Sequence, residues 1–242
     1  LIKKLILADY ISPYIDGIFN SIHTASGIQL LMACLLYPVE LYGDFSGYTD
    51  IALGGACMLG FKLSPNFNRP FIAQTTAEFW RRWHMSLSFW VRDYLYLPLS
   101  SGMRRWGQWG VFLSLSLTFA GLGAWHGAGC LQPCPSSALI CFSPFLCLES
   151  VSDALYYIRN ISFSTHASWK EVSIGIPDHN CIVAGSALVL ILVYEYFMSK
   201  RDLLEALEKQ PMLVRWGIYY LLAIMFFTLG QFNSDSFIYL QF

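Results

Sequence analysis

The sequence predicts an all-α, polytopic membrane protein, with tilted transmembrane helices and short re-entrant or interfacial helices among them. Three observations predict it. Hydrophobic residues make up 55% of the 242-residue chain and charged ones only 13%, about half the roughly 25% usual in soluble domains, and mean hydropathy is +0.47. The apolar residues gather in runs close to the about 20 residues that a helix needs to cross a bilayer. Short segments rich in Pro, Asn, Trp and Arg separate those runs, and such segments break helices or hold them at a membrane surface. The formal net charge of −1, without any Lys/Arg-rich run, offers no nucleic-acid surface. Rossmann and P-loop glycine patterns are missing too. The seven cysteines suggest neither a disulfide framework nor a metal site. Cys34, Cys57 and Cys181 sit in or beside apolar runs, and Cys130, Cys134, Cys141 and Cys147 cluster at spacings that match no zinc pattern.

In the opening stretch, Leu5, Ile6, Ala8 and Ile11 are set against Lys3, Lys4 and Asp9. This predicts a short or interfacial helix with its lysines at a cytoplasmic edge. Asp9 interrupts the apolar run and no small-residue cleavage site follows, so it does not read as a signal peptide. The missing initiator Met leads to the expectation that further sequence lies upstream. A first span is expected from about Ser21 to Tyr42, interrupted by Pro38 and Glu40. The segment GDFSGYTDIALGGACMLGF follows, with Gly43, Gly47, Gly54, Gly55 and Gly60 as small positions where helices can approach closely. Asp44 and Asp50 stand at its start. Charge is costly at membrane depth, so they either line an interior or wet cavity or lie in a loop among headgroups, the second reading suiting Asp50 better.

KLSPNFNRPFIAQ reads as a break, because its prolines and asparagines do not continue a helix. Thr75 or Thr76 can cap the next helix, with Glu78 in its first turn. That helix is expected from Thr76 to Tyr96. Trp80, Trp83, His84, Leu87, Trp90, Val91, Tyr94 and Leu95 recur at helical steps as one aromatic-apolar face, while Arg81 and Arg92 return to another. His84 is either a satisfied core histidine or a functional group. SSGMRRWGQWG reads as a basic loop, and VFLSLSLTFAGLGAWHGAG as a span ending at His126. His126 is a candidate general base, since a neutral imidazole suits proton removal from an alcohol. The plainer reading is an interfacial histidine beside an anchoring Trp125.

Residues 130–150, CLQPCPSSALICFSPFLCLES, differ in texture from their surroundings, and residues 150–180 read as a mostly polar loop carrying the acceptor pattern Asn160-Ile161-Ser162. Ile182 to Met198 reads as a span, SKRDLLEALEKQPMLVR as an amphipathic cytoplasmic segment, and Trp216 to Phe232 as the last span. Altogether about five or six spans are expected, in one membrane-embedded domain over residues 1–242.

The motifs DFSGYTDIALG, NFNRPF, FWRRWHMSLSFWVRDYLYLPL and WHGAG, in this order from Leu41 to Gly129, resemble the membrane-bound O-acyltransferase family, in its bacterial alginate O-acetylation branch. The D-alanyl transferases of teichoic acids are more distant. The resemblance implies an O-acyltransferase that moves an acyl group, most simply acetyl, onto hydroxyls of an exported polysaccharide. It implies a ring of tilted helices with a tunnel joining the membrane faces, in the cell membrane, surrounded by membrane lipid. The acyl donor, acetyl-CoA or an acylated carrier protein, acts as substrate from the cytoplasm, and no bound cofactor or metal is implied. The partner on the acceptor side is a polysaccharide or a downstream periplasmic acyltransferase. The resemblance makes His126 the catalytic residue and His84 a second functional position. Asp44, Asn68, Arg69, Arg81, Arg82, Trp83, Ser88 and Trp125, in or beside the same motifs, are the candidate substrate-binding positions. Arg81, Arg82 and Arg92 either bind a phosphate-bearing donor or carrier, or snorkel to headgroups. The resemblance also implies that the chain is a C-terminal portion of such a protein, whose N-terminal helices lie upstream. It departs from the family after WHGAG, where residues 130–150 replace an aromatic-rich span, and that departure bears on the activity of this exact chain. A different class of function also fits broken helices with intramembrane carboxylates, a transport or export subunit without acyl transfer, although no internal repeat supports it.

Overall fold

The computed structural model describes residues 2–126, 156, 157, 159–161, 185, 186, 188, 189, 192, 193, 196 and 203–230. Among these residues every regular element is helical. They fall into two compact units, Leu1–Leu59 with Tyr156–Phe242, and Gly60–Leu155.

In the first unit a π-helical turn, Lys3–Ala8, runs into α1 (Asp9–Phe19). α1 buries Ile11, Tyr14, Ile15 and Ile18 at three- and four-residue steps, the periodicity of a helix packed along one face. The expected boundary between a first span and the glycine-rich segment is not there. A single 32-residue helix, α2 (Gly27–Met58), covers both. Its start is marked by Ser26, whose N–H donates to Gln29 Oε1 at 2.7 Å. Pro38 lies inside it; proline costs one backbone hydrogen bond but is tolerated in membrane helices. At 1.5 Å per residue α2 is about 48 Å long, well over the roughly 30 Å hydrocarbon core, so a helix of this length tilts or projects.

Gly43 and Gly47 explain how α2 receives the N-terminal turn. A Cβ on Gly43 would stand 3.0 Å from Lys3 O, and one on Gly47 3.2 Å from Lys4 N. Backbone therefore meets backbone, as small residues allow. The same closeness corrects the expectation for the lysines. Lys4 is buried, with its Nζ 2.8 Å from both Asp9 and Asp44, and Lys3 pairs with Asp50 at 2.8 Å. Helical amphipathicity placed Lys4 outside, but a buried ammonium is tolerated when carboxylates on both sides compensate it.

Residues 150–180, expected as a loop, contain helical positions at 156, 157, 159 and 160. The fully buried Tyr157 donates its hydroxyl to the Leu30 carbonyl. The side chains of Tyr156 and His23 meet edge to face at 4.6 Å. Apolar contact outweighs the polar average of that stretch. The described residues between 182 and 198 are helical. α7 (Leu203–Glu208) and α8 (Met212–Leu229) follow, α8 starting four residues before the expected Trp216. Among the described residues α2 and α8 are long and apolar enough to cross a membrane.

In the second unit an irregular segment holds a 3₁₀ turn at Pro70–Ile72, as its prolines lead one to expect. The helix expected from Thr76 to Tyr96 is broken. α3 (Thr76–Arg82) ends at Trp83 and His84, and α4 (Met85–Val91) starts afresh. A π-helical turn, Arg92–Tyr96, leads into α5 (Leu97–Gly102). The continuous face shared by Arg81 and Arg92 is therefore lost. The segment expected as a basic loop contributes the end of α5, a 3₁₀ turn at Arg104–Trp106 and the start of α6 (Gln108–His126). Residues 130–150 lie outside the described residues.

Candidate functional site

The site grows from the interruption at Trp83–His84. α3 is capped by Thr75, whose Oγ1 accepts the Glu78 N–H at 3.1 Å, one of the two caps the sequence offered. At the other end Trp83 is extended and His84 takes φ 39°, ψ 58°, the left-handed region. That conformation costs a non-glycine residue on the order of 1–2 kcal/mol, so the surroundings must enforce it.

The segment Asn66–Asn68 enforces it, lying across the interruption as a strap. Asn68 N–H donates to the Arg82 carbonyl at 2.9 Å, and Met85 N–H donates to the Asn66 carbonyl at 2.8 Å. Ser86 N–H and Oγ–H both donate to Asn66 Oδ1, at 3.2 and 2.6 Å. The backbone groups released by the break find partners in the strap, as buried or half-buried polar groups must. Arg69, next along, also has positive φ, at 50°, and Pro70 after it starts the 3₁₀ turn.

Aromatic packing fixes the other side. Trp83 is fully buried. It stacks on Phe79 at 5.6 Å and meets Phe67 edge to face at 5.0 Å. Its carbonyl accepts Ser88 Oγ–H at 2.8 Å. With the tryptophan locked below and the strap above, the half-buried His84 has its backbone held from both sides. Its Nδ1 stands 3.4 Å from Ser86 Oγ.

The candidate arginines divide. Arg82 directs Nε and Nη2 to Glu78 Oε1 at 2.9 and 2.7 Å, and Nη1 to the Asn68 carbonyl at 3.2 Å. Glu78 Oε2 accepts the Gln74 N–H at 3.0 Å. That backbone N–H, with the Arg82 guanidinium, holds the Glu78 carboxyl below the ordinary carboxylate range. Arg82 and Asn68 thus fasten the strap. Arg81 is exposed and Arg69 half-buried, and neither has an ion pair with a described residue. Arg92 pairs with its neighbour Asp93 at 2.7 Å.

α6 brings the second histidine into this unit. Trp80 of α3 meets Phe119 at 5.6 Å. The inward arc near this end of α6 comprises Thr118, Phe119 and Leu122. His126 is the last residue of α6. Phe119 and Leu122 share one helical face. Trp125 is off that face and 66% exposed, which suits a ring at a membrane interface. Asp44 belongs to the other unit, where it is buried against Lys4. Among the described residues no group of three His, Cys, Asp or Glu is placed to hold a metal ion.

Sequence reasoning named His84, Trp83, Ser88, Asn68 and Arg82, and the structure gathers them at one interruption. It passed over Asn66 and Phe67. A signal for them existed in the break itself, whose asparagines can hydrogen-bond nearby backbone.

The fold and this site define a helical membrane protein with a histidine on a strapped helix break. Residues 6–148 match the model of the membrane-bound O-acyltransferase family. The chain belongs to that family. It is 46% identical over 127 residues to a probable alginate O-acetylase of Azotobacter vinelandii, covering 52% of this chain and 25% of that protein. A peptidoglycan O-acetyltransferase of Helicobacter pylori is 43% identical over 129 residues, 53% of this chain and 24% of the relative. A teichoic acid D-alanyltransferase of Bacillus subtilis is 42% identical over 96 residues, 38% of this chain and 24% of the relative. The chain spans about a quarter of the length of the curated relatives it matches.

Proposed function

We propose that this chain carries the acyl-transfer site of a multi-pass cell-membrane enzyme that moves acetyl groups onto hydroxyls of an exported polysaccharide, its residues 1–242 serving as one membrane-embedded domain. The observation that supports it most is the strapped break that fixes His84, in the unit where α6 ends at His126. In this reading His126 takes the proton of the acceptor hydroxyl as its oxygen attacks the carbonyl carbon of the donor thioester. The carbon–sulfur bond then breaks, the thiolate leaves and the proton passes to it. His84 assists at the acceptor. The donor is acetyl-CoA or an acylated carrier protein. Arg69 and Arg81, without ion pairs among the described residues, are the cations suited to its phosphates, while Arg82 holds the strap. The relatives named for alginate and peptidoglycan O-acetylation favour an acetyl group and a polysaccharide acceptor.

The test is ester-linked acetyl on the exported polysaccharide of cells that carry the intact protein with His126→Ala. Loss of a general base lowers transfer by about 10²–10⁴-fold, so acetylation should fall to background at normal protein levels. Unchanged acetylation rejects the assignment.

A further inference from the structure

We infer that Asn66 is the positioning residue of His84. Its side chain caps α4 from outside that helix, and so selects a break at Trp83–His84 over the continuous helix into which the same residues would otherwise fall.

Two arrangements of this stretch compete. The rhythm from Trp80 to Leu95 suits one unbroken helix. There Met85 N–H and Ser86 N–H would donate four residues back, to the Arg81 and Arg82 carbonyls, and His84 would take ordinary right-handed torsions. The structure holds the other arrangement, with His84 at φ 39° and ψ 58°, where a Cβ is disfavoured. A helix start usually satisfies its exposed N–H groups with the side chain of its own cap residue, whose backbone is extended. α3 does so through Thr75, at φ −136° and ψ 152°. α4 does not, because its cap position is the left-handed His84, which makes no capping hydrogen bond.

Asn66 supplies the cap instead. Its carbonyl accepts Met85 N–H at 2.8 Å, and its Oδ1 accepts Ser86 N–H at 3.2 Å. These are the first two N–H groups of α4. A backbone N–H only donates, so the amide atom facing it is the oxygen. The same oxygen takes Ser86 Oγ–H at 2.6 Å. Meanwhile the Arg82 carbonyl, which Ser86 N–H would need in an unbroken helix, is occupied by Asn68 N–H at 2.9 Å. One residue thus meets both donors that the break releases. Its carbonyl survives any substitution, whereas its side-chain oxygen does not. Without that oxygen, Ser86 N–H and Oγ–H lose their acceptor, which is costly, while the strain at His84 remains. The unbroken helix relieves both, and the imidazole turns with its backbone. Asn66 therefore acts through His84.

The catalytic consequence rests on the acyl-transfer reading above; the choice between the two helices does not. The test uses the intact protein in lipid nanodiscs with ¹³C,¹⁵N-histidine. Solid-state NMR of the H–N–Cα–H torsion gives φ at His84, whose signals are assigned by their loss in His84→Gln. The expected φ is positive in the unaltered protein, negative in Asn66→Ala, and positive again in Asn66→Asp, which keeps an accepting oxygen. Acetyl transfer at normal protein levels should fall on the order of a hundredfold in Asn66→Ala, the size of a small misplacement of a reacting group, and recover in Asn66→Asp. A loss of general stability would multiply with that of His84→Ala. A positioning loss would not, so Asn66→Ala combined with His84→Ala should transfer as slowly as His84→Ala by itself. Negative φ at His84 in the unaltered protein or in Asn66→Asp overturns the inference, and these two measurements stand even if Asn66→Ala does not fold. So does positive φ in Asn66→Ala, or losses that multiply. The expected torsions in a protein that transfers no acyl group would uphold Asn66 as the cap and reject the acyl-transfer reading.

Discussion

His84 carries two separable burdens, an imidazole and a strained backbone. Its φ of 39° lies where a Cβ is disfavoured and glycine is not. Replacement by Ala removes the ring and keeps the strain. Replacement by Gly removes both, at some cost in unfolded-chain entropy. The two variants lose the same side-chain contacts, so the backbone alone distinguishes them. His84→Gly should outlast His84→Ala by about 1 kcal/mol in denaturant unfolding in detergent, with acyl transfer impaired in both. An Ala variant as stable as the Gly variant would mean that the turn is not retained without the ring. At this scale the sequence announces some features plainly. Thr75 as a cap and Glu78 in the first turn follow from local chemistry. The left-handed turn does not, because histidine gives no warning of it and the bonds that hold it come from Asn66 and Asn68, far back along the chain.

Helix boundaries show what periodicity can and cannot reveal. The aromatic and apolar residues from Trp80 to Leu95 keep a helical rhythm across an interruption, since α3 and α4 both pack and only two residues between them depart. Conversely, a single helix α2 reads as two pieces because Pro38, Glu40 and Asp44 resemble punctuation. Glu40 and Asp44 are in fact buried, and α2 accepts Asp44 because the N-terminal turn supplies Lys4. The glycines of α2 separate packing from composition. At Gly43 and Gly47 a Cβ would press on the backbone of Lys3 and Lys4, whereas at Gly54 and Gly55 nothing lies within 4 Å. Gly43→Ala and Gly47→Ala should each destabilise the protein by about 1–3 kcal/mol through overpacking. Gly54→Ala and Gly55→Ala should be neutral or stabilising by up to about 1 kcal/mol, from helix propensity. Thermal unfolding of the four variants in one detergent checks the split. Equal effects in all four would show that the turn does not sit against α2 as described.

For the molecule as a whole, the overall hydropathy foretold helices and a membrane, and these follow from bulk composition that no single contact can reverse. The number of spans is a finer matter, and α8 is where it can be tested. It is 18 residues long, about 27 Å, close to the roughly 30 Å hydrocarbon core. None of its window is buried, although its mean hydropathy is 1.7. Leu213, Val214, Tyr219, Leu221 and Leu222 are all exposed, and they point in different directions around the helix. Water would not tolerate such a surface, and lipid would, so α8 should insert. Leu221 is near the middle of the helix and Leu213 near its start. An arginine at the centre of a span costs about 2.5–3.5 kcal/mol, while one near the end snorkels to the interface at little cost. With residues 212–229 placed in a host membrane protein between two glycosylation acceptors, Leu221→Arg should lower the ratio of inserted to excluded helix on the order of a hundredfold. Leu213→Arg should leave it nearly unchanged. The contrast matters more than either value. Simple hydrophobicity loss would penalise both leucines alike, and only a helix lying across the bilayer makes the penalty depend on depth.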